Sequence, residues 1–376
     1  MKPKILYLMH MPPPIHGAAL VGKQIKNSTI INKAFEGHYI NTSLAKNISD
    51  IGGLGLKKII LYFDILKQTR KILKREKFDI CYITPNATGS AFLKDFILVM
   101  LVKSFHVRTL FHFHNKGFSK NQENIFYNYL YRLFFKNTQI ILLAENLYYD
   151  IEKYVSKRNI FYSYVGISPK ISKEHKEKNN EKIQFIFLSN LIIEKGIIIA
   201  LKACNILKQK GYNFSFIFAG GESFEMNKNQ FNAMINSYNL QDRIKYLGRV
   251  SEERKNTLLS KSDVFVFPTY YHNECFPAVI LEAMKNSLAV ISTYEGAIPI
   301  EVIEGETGFL CKQKDVMDLV ANMEKFINEP YLANILGSRG KEIFYERYTN
   351  NIFEEKMCNI FNKVLQKTIN TDIQTI

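Results

Sequence analysis

Two glutamates, Glu274 and Glu282, stand eight positions apart where a loop passes into an apparent helix. Residues 264–267 have the apolar composition of a buried strand, and a helical pattern begins at Ala278 after a polar turn. Where a strand leads into a helix, backbone N–H groups converge on phosphates and hydroxyls. The spacing therefore predicts a site for a phosphorylated or sugar ligand, while a solvated surface position for Glu282 is the simpler alternative.

A histidine pair and a glycine loop in the first half are further candidates. His112 and His114 alternate along a predicted strand at residues 107–113, so both are expected on one face of a sheet. For His112 a packed, hydrogen-bonded role is expected, and metal binding by the pair is a minor alternative because no cysteine or carboxylate stands nearby. Gly17 follows three prolines at a predicted helix start, where a backbone without a side chain can approach a diphosphate; a structural turn is the alternative.

Strand-like apolar runs alternate with amphipathic helical segments along the whole chain. The runs are residues 5–9, 79–84, 107–113, 139–143 and 160–164 in the first half, and 183–188, 214–219, 244–247, 264–267, 289–292 and 308–310 in the second. This alternation implies parallel sheets with right-handed crossovers. We therefore expect an α/β protein with two facing Rossmann-like, doubly wound domains and a ligand-binding cleft between them.

A chain of 376 residues is long for a single core, which favours two domains. The first is expected at residues 1–168 and the second at residues 183–349. A polar, lysine-rich stretch at residues 169–182 is typical of a linker. The last helical segment, residues 350–366, is in a position to pack back onto the first domain.

The chain is strongly basic. Fifty Lys and Arg residues against 35 Asp and Glu residues give a net charge of +15, which favours an anionic partner or surface. The excess lies mainly in the first half, where residues 56–67 and 124–136 combine basic side chains with apolar and aromatic ones. Both stretches are candidate amphipathic helices for an anionic membrane surface. The alternative is that their apolar faces fill the core and their lysines are simply solvated.

Cysteine usage and hydropathy indicate the compartment. The five cysteines are far apart and include no C-x-x-C spacing, so we expect small core residues in a reducing cytosol. The N-terminal apolar stretch is broken by prolines and lacks a signal-peptide pattern. No run reaches the ~18 apolar residues that a membrane span requires. A cytoplasmic location is therefore expected, at the inner face of the membrane if the basic helices bind lipid.

Short segments of the second half resemble, in the same order, the motifs of a known enzyme family; they are residues 187–196, 218–221, 246–251, 262–268, 274–283 and 305–310. On these segments the chain resembles the large family of retaining glycosyltransferases that use nucleotide sugars, which includes bacterial enzymes of polysaccharide and lipid-sugar synthesis. The resemblance extends over nearly the whole length and implies the GT-B fold. It assigns the acceptor to the first domain and the nucleotide-sugar donor to the second.

The resemblance also implies which groups neutralise the negative charge of the donor diphosphate. No Asp-x-Asp triplet occurs in the chain, so neither a metal nor another cofactor is expected, and Lys195 is the chief cation for the diphosphate. A surface position for this lysine is the alternative. The family usually has an arginine where this chain has Asn190, which carries no charge. Either a second cation such as Arg249 or the backbone is then needed, and Arg249 is equally well explained as an ordinary surface residue.

Further roles are implied for the remaining motif positions. Glu282 would accept hydrogen bonds from the ribose hydroxyls, and Glu274 from hydroxyls of the donor sugar. The residues implied to act in catalysis are His114, Lys195 and Glu274, with His114 at a strand end near the reacting sugar. The other positions implied to bind the donor are Gly17, Asn190, Gly220, Val250 near the base, and Cys275 and Phe276 through their N–H groups.

The resemblance thus implies a retaining, metal-independent glycosyltransferase of hexosyltransferase type. It would move a sugar from a nucleoside diphosphate to a hydroxyl of a cell-surface polysaccharide, such as capsule or lipopolysaccharide, or of a lipid-linked glycan precursor. One alternative keeps the fold and makes the reaction an epimerisation or phosphorolysis of a sugar. Another is a basic nucleic-acid-binding protein, although the chain has no recognised reading motif and nucleic acid is not the expected partner.

Overall fold

The chain folds into two units, each built on one parallel sheet. The computed structural model describes residues 2–14, 16–44, 56–170 and 182–366. The first unit comprises Met1–Gly166 with Asn350–Ile376, and the second comprises Ile167–Thr349. Most of the predicted linker at 169–182 lies outside the described residues.

In the described residues of the first unit, the sheet has six strands in the spatial order β2-β1-β3-β4-β5-β6. They are β1 (Lys4–Met9), β2 (Glu36–Asn41), β3 (Ile80–Ile83), β4 (Arg108–His112), β5 (Thr138–Leu142) and β6 (Ile160–Tyr162). Its helices are α1 (Gly17–Asn27), α2 (Thr29–Ala34), α3 (Leu56–Arg75), α4 (Gly89–Lys103), α5 (Ile125–Phe135) and, from the end of the chain, α13 (Asn350–Gln366).

Helices cover both faces of this first sheet. Side chains of α3, α4 and α5 pack with one face, and those of α1, α2 and α13 pack with the other. Helix α13 buries a stripe at intervals of three or four residues, which is the period of one helix face: Phe353, Met357, Ile360, Phe361 and Val364. Its last turn is tied to β4, because Arg108 donates hydrogen bonds to the carbonyl oxygens of Val364 and Leu365 at 2.9 and 2.7 Å.

The part of the second unit that the structure describes has a sheet of six strands in the spatial order β12-β11-β10-β7-β8-β9. They are β7 (Ile183–Leu188), β8 (Phe214–Ala219), β9 (Ile244–Tyr246), β10 (Val264–Val266), β11 (Ala289–Thr293) and β12 (Gly308–Cys311). Its helices are α6 (Ile197–Gln209), α7 (Lys228–Ser237), α8 (Glu252–Lys261), α9 (Ala278–Lys285), α10 (Ile298–Glu301), α11 (Val316–Asn328) and α12 (Tyr331–Arg347).

The strand order of the second sheet contains a topological switch point. The chain runs from β7 outwards through β8 and β9, and then returns so that β10 pairs with the other side of β7. In open α/β sheets, ligands bind outside the carboxyl ends of the strands at such a reversal. The loops that follow β7 and β10 are therefore the expected place for a ligand.

The predicted fold class, two Rossmann-like α/β domains, is confirmed by these two sheets. Strands β7 and β8 begin and end at the predicted residues, whereas β2 coincides with none of the predicted runs. In the described residues, no helix combines the length and apolar character needed to cross a membrane.

Candidate active site

Lys195 and Glu274 meet at the switch point of the second sheet. Lys195 ends a 3-10 turn after β7, and Glu274 lies in the loop between β10 and α9. The Lys195 Nζ donates directly to Glu274 Oε2, and the two side chains are only 15% and 11% exposed. The ammonium also lies 4.6 Å from the ring centroid of Tyr271, a distance at which the ring face attracts a cation. The two loops thus bring a fixed cation and a carboxylate together in a poorly solvated place.

Backbone and side-chain contacts hold the two loops together. The N–H of Tyr270 donates to the Glu194 carbonyl at 2.8 Å, and His272 Nδ1 lies 3.2 Å from Glu194 Oε2. Gly196 is the N-cap of α6 and has a φ of +90°. A Cβ at this position would stand 2.2 Å from the Pro268 carbonyl oxygen. The close approach of the β7 and β10 loops therefore requires glycine here.

Gly196→Ala is expected to destabilise the second unit. Gly211 is a matched control, because its φ is +82° but a Cβ there would meet nothing within 4 Å. Gly211→Ala should cost only the left-handed strain, about 1–2 kcal/mol. Gly196→Ala should cost roughly 1–3 kcal/mol more, since the added methyl group must displace backbone. Thermal unfolding of both variants measures the difference, and equal losses of Tm would show that the approach to Pro268 is not tight.

The segment after Glu274 packs against the loop between β11 and α10. The Cys275 carbonyl accepts a hydrogen bond from Ala297 N–H at 2.8 Å, and Cys275 and Phe276 are both buried. Pro277 precedes α9 as its N-cap and provides no side-chain cap. The N-terminus of α9, with its partial positive charge, thus follows directly on the Glu274 loop.

Glu282 lies one turn inside α9 and forms the second ion pair of the site. Its Oε1 accepts a hydrogen bond from Lys255 Nζ of α8 at 2.7 Å, and both side chains are 20% exposed. Burial raises the pKa of the Glu282 carboxyl, and the nearby Lys255 ammonium opposes that rise. Burial lowers the pKa of Lys255, but the attraction of Glu282 and Glu252 together outweighs this effect and raises it. Sequence analysis did not single out Lys255, since its partner lies 27 positions away on another helix.

The side chain of Asn190 contacts the backbone of the glycine loop after β8. Its Oδ1 accepts a hydrogen bond from the Gly221 N–H at 3.1 Å. At Gly220 a Cβ would stand 1.7 Å from the Ser189 carbonyl oxygen, so the loops after β7 and β8 touch through backbone. The Gly220 N–H in turn donates to the Gly248 carbonyl at 2.9 Å. Val250, half-buried, follows two residues later in the loop before α8.

In the first unit, His112 and His114 lie at the carboxyl end of β4. Their ring centroids are 4.2 Å apart, as expected for side chains on one face. His112 Nδ1 lies 2.7 Å from the Tyr82 hydroxyl, whereas the Nε2 atom of each histidine is buried without a hydrogen-bond partner among the described residues. Burial, reinforced by His10 and His16, lowers the pKa of His114 to about 3. His114 is therefore a neutral imidazole at physiological pH.

Gly17 is the first residue of α1, at the carboxyl side of β1. A Cβ there would meet nothing within 4 Å, so local packing does not demand a glycine. The N-cap residue, His16, makes no side-chain hydrogen bond to the helix. The first turn of α1 is thus open to a group approaching its backbone.

Three side chains at the opposite edge of the first sheet are spaced like metal ligands. They are Glu36, His38 and Glu76, whose ligand atoms lie within 4.8 Å of one another. The Lys4 ammonium lies 3.3 Å from Glu36 and 3.1 Å from Glu76. Because this ammonium already neutralises the carboxylates, we assign no ligand to the cluster.

Comparison with known proteins identifies the family. Residues 169–343 match the family described as glycosyl transferases group 1. The second unit belongs to the group 1 glycosyl transferases. Over 336 residues the chain is 26% identical to the capsular polysaccharide biosynthesis glycosyltransferase CapM of Staphylococcus aureus, a match that covers 83% of this chain and 85% of CapM.

Solved structures show the same fold for the whole glycosyltransferase. A glycosyltransferase from Rickettsia africae matches with a TM-score of 0.76 and 16% identity, covering 98% of this chain and 100% of the other. HepE of Anabaena, in complex with UDP and glucose, matches with a TM-score of 0.69 and 14% identity, covering 96% and 99%. The predicted GT-B fold is therefore confirmed.

The glycosyltransferase site also contains a buried acid that sequence analysis missed. Glu301, at the end of α10, is completely buried, and neither carboxyl oxygen has a hydrogen-bond partner among the described residues. Burial, and then the negative charge of Glu274, raises the pKa of Glu301 well above its usual value. Burial and the neighbouring Glu274 carboxylate thus both favour the protonated form of Glu301. Only its tertiary surroundings reveal this, because its sequence context, an Ile-Pro-Ile helix start, is ordinary.

Proposed function

We propose that this chain transfers a sugar from a nucleoside diphosphate to a hydroxyl of a cell-surface polysaccharide or lipid-linked glycan precursor. The reaction retains the anomeric configuration and needs no metal. One observation carries the proposal: Lys195 and Glu274 are paired at the switch point of a sheet that belongs to the group 1 glycosyl transferases. The similarity to CapM, a glycosyltransferase of capsular polysaccharide biosynthesis, supports a polysaccharide acceptor, and HepE with bound UDP and glucose supports a nucleotide-sugar donor.

Lys195 is proposed to stabilise the leaving diphosphate. Negative charge grows on the diphosphate as the sugar bond breaks, and a preorganised cation stabilises that charge without reorganisation. The ammonium is held in advance by Glu274 and the Tyr271 ring. The uncapped N-terminus of α9 adds a partial positive charge on the same side of the sheet.

The acceptor is proposed to attack the same face of the sugar that the diphosphate leaves. A departing diphosphate oxygen then takes the proton of the acceptor hydroxyl, so no protein nucleophile is required. Glu274 orients the donor sugar by accepting hydrogen bonds from its hydroxyls, and Glu282 does the same for the ribose. His114, neutral because of its lowered pKa, is proposed as a hydrogen-bonding partner near the reacting sugar. Gly17 and Val250 stay predictions for the diphosphate and the base.

Thermal-shift measurements with a panel of UDP-, GDP-, ADP- and dTDP-linked sugars test the donor. Binding of the right donor raises Tm with its concentration, because only the folded state binds it. Flat responses to every donor would contradict the proposal. Product from the nucleotide sugar alone, with no acceptor, would instead favour epimerisation. Steeply salt-dependent binding of DNA or RNA without any donor response would favour the nucleic-acid alternative.

Metal independence gives a separate prediction. Excess EDTA should leave the rate of sugar transfer unchanged, within about twofold, because Lys195 supplies the charge that a metal would otherwise bring. The measurement is the initial rate before and after extensive chelation, with Mg²⁺ and Mn²⁺ added back in parallel. Loss of transfer on chelation and its return with either metal would overturn this part of the proposal.

We further propose that the first unit binds an anionic membrane surface. The sequence left open whether the apolar faces of α3 and α5 are core or membrane surface, and the apolar side chains of these helices include both buried and exposed ones. Ile65 and Leu73 of α3 are buried, as are Leu130 and Phe134 of α5. The large apolar side chains exposed on these helices and on α4 are Ile59, Ile60, Leu61, Phe63, Leu93, Ile97, Ile125, Phe126 and Tyr129.

A groove between α3 and α4 combines this apolar surface with positive charge. Its volume is ≈ 670 Å³, and it is lined by Phe63, Leu66, Lys67, Arg70, Lys71, Lys74, Ile97 and Leu101. Phe63 is 64% and Ile97 52% exposed. Apolar side chains bordered by lysine and arginine match the acyl and anionic headgroup layers of a membrane. This supports a location at the inner face of the membrane, where a lipid-linked acceptor would be found.

Vesicle sedimentation tests the membrane proposal. Wild-type protein should bind vesicles of equal parts phosphatidylglycerol and phosphatidylcholine, and not vesicles of phosphatidylcholine alone. The double variant Phe63→Ser/Ile97→Ser should reduce binding because it removes apolar contact with the acyl chains. Lys71→Glu should reduce binding by roughly tenfold, because it replaces a positive charge attracted by anionic lipid with a negative one. Lys33→Glu, exposed on α2 at the other face of the sheet, is the control. Equal losses in control and test variants would point to net charge alone.

A further inference from the structure

The Lys255–Glu282 ion pair joins α8 and α9 of the second unit through a hydrogen bond. Lys255 lies on α8 and donates to Glu282 Oε1 at 2.7 Å, while it also reaches Glu252 on its own helix at 3.0 Å. Glu252 is 75% exposed, whereas Glu282 is only 20% exposed. Because charge pairs are screened in water, the contact with Glu282 is the stronger of the two.

The contact with Lys255 leaves the second carboxylate oxygen of Glu282, Oε2, available to accept hydrogen bonds. Within the described residues, no hydrogen bond to Oε2 is present, and this oxygen is not among the fully buried unpaired atoms. A carboxylate has about four acceptor positions, so Oε1 also retains capacity beside Lys255. The backbone below is fixed, since Asn286 Nδ2 donates to the Glu282 carbonyl at 2.8 Å. The side chain is thus held at one oxygen and free to accept at the other.

The charged groups around Glu282 have opposite effects on the ionisation of its carboxyl group. From α8, Lys255 favours the ionised carboxylate and Glu252 disfavours it. From α9, Lys285 favours the ionised form, but more weakly than Lys255. The Lys285 ammonium is directed elsewhere, to the Ser168 carbonyl at 3.4 Å. Lys255 is therefore the main group that keeps this buried carboxylate charged.

We propose that Lys255 is a positioning residue for the donor nucleotide, which holds Glu282 ionised and oriented so that it accepts the hydroxyl pair of the ribose. This inference rests on the proposed function, in which Glu282 binds the ribose. Lys255 itself does not touch the donor. It acts by fixing one carboxylate oxygen, which presents the other in one rotamer.

The sign of the expected pH effect follows from the charges. Without Lys255, burial acts on Glu282 unopposed by its nearest cation, so the pKa of the carboxyl rises further above its usual value. A protonated carboxyl is a poorer acceptor for two hydroxyls. In Lys255→Met the donor affinity should therefore fall relative to wild type as the pH decreases. A purely structural role of Lys255 would lower the affinity by the same factor at every pH.

Calorimetric titration with UDP, with GDP and ADP measured in parallel, tests the inference between pH 5.5 and 8.5. The quantity to compare is the ratio of wild-type to variant affinity, because the terminal phosphate of the ligand titrates in the same range. For Lys255→Met this ratio should rise by roughly tenfold towards the acidic end. Lys255→Arg should restore most of the affinity. Arg254→Met, the exposed neighbour on α8, should give a constant ratio near one.

A double variant keeps the test valid if Lys255→Met is too unstable to measure. In a Glu282→Gln background no buried carboxylate is left unpaired, and adding Lys255→Met should then change UDP affinity by less than about twofold. A pH-independent ratio for Lys255→Met, or a large further loss in the double variant, would overturn the positioning role. Failure of wild type to bind any of the three nucleotides would overturn the proposed function itself. Loss of binding in Glu282→Gln together with wild-type behaviour of Lys255→Met would overturn the positioning role alone.

Discussion

Lys195→Ala is expected to lower kcat for sugar transfer by about 10²–10³-fold. The ammonium is the fixed cation at the switch point, and its loss leaves the developing charge of the diphosphate without its main partner. Lys195→Arg keeps the charge but not the compact geometry, so an intermediate rate is expected. The measurement is transfer at saturating donor, with the Tm of each variant recorded beside it.

Lys202→Ala is the matched control for this variant. Lys202 lies on α6, the helix that follows Lys195, and is exposed. Its loss removes the same charge from the helix that follows Lys195, and we expect a rate within twofold of wild type. If Lys195→Ala and Lys202→Ala behave alike, or if Lys195→Ala loses activity only because it unfolds, the role assigned to Lys195 is wrong.

Glu282→Ala is expected to weaken donor binding by about 10–100-fold, since a hydrogen bond to a charged group contributes about 1.5–3 kcal/mol. The loss should be seen in KM for the donor and in Kd for the nucleotide, because ribose contacts are made before and during the reaction alike. Glu252→Ala provides the control, as Glu252 contacts the same lysine but is 75% exposed. An unchanged donor KM in Glu282→Ala would show that Glu282 does not bind the ribose.

Sheet composition explains why most strands could be predicted and one could not. β7 and β8 are buried between helices on both faces, and their sequences, IQFIFL and FSFIFA, are apolar almost throughout. β2, with the sequence EGHYIN, lies at the sheet edge and is largely half-buried or exposed. Its polar residues and glycine resemble a turn, so only its pairing with β1 identifies it as a strand.

Local motifs predicted the site residues on the two central loops but not their partners. Lys195 and Glu274 could each be placed in a loop after a predicted strand, because periodicity locates the strands along the chain. Their direct pairing, the Lys255–Glu282 contact and the buried Glu301 depend on which helix packs beside which, and that information is not local. Asn190 illustrates the same limit: the sequence showed a missing arginine, whereas the structure shows an amide that holds the Gly221 N–H.

Crystallography of the protein with the nucleotide sugar that gives the strongest thermal shift tests the central claim most directly. The account predicts a diphosphate oxygen within about 3.2 Å of Lys195 Nζ, ribose hydroxyls on the Glu282 carboxylate and sugar hydroxyls near Glu274. A nucleotide bound away from the carboxyl ends of β7 and β10, with Lys195 still paired to Glu274 alone, would contradict it.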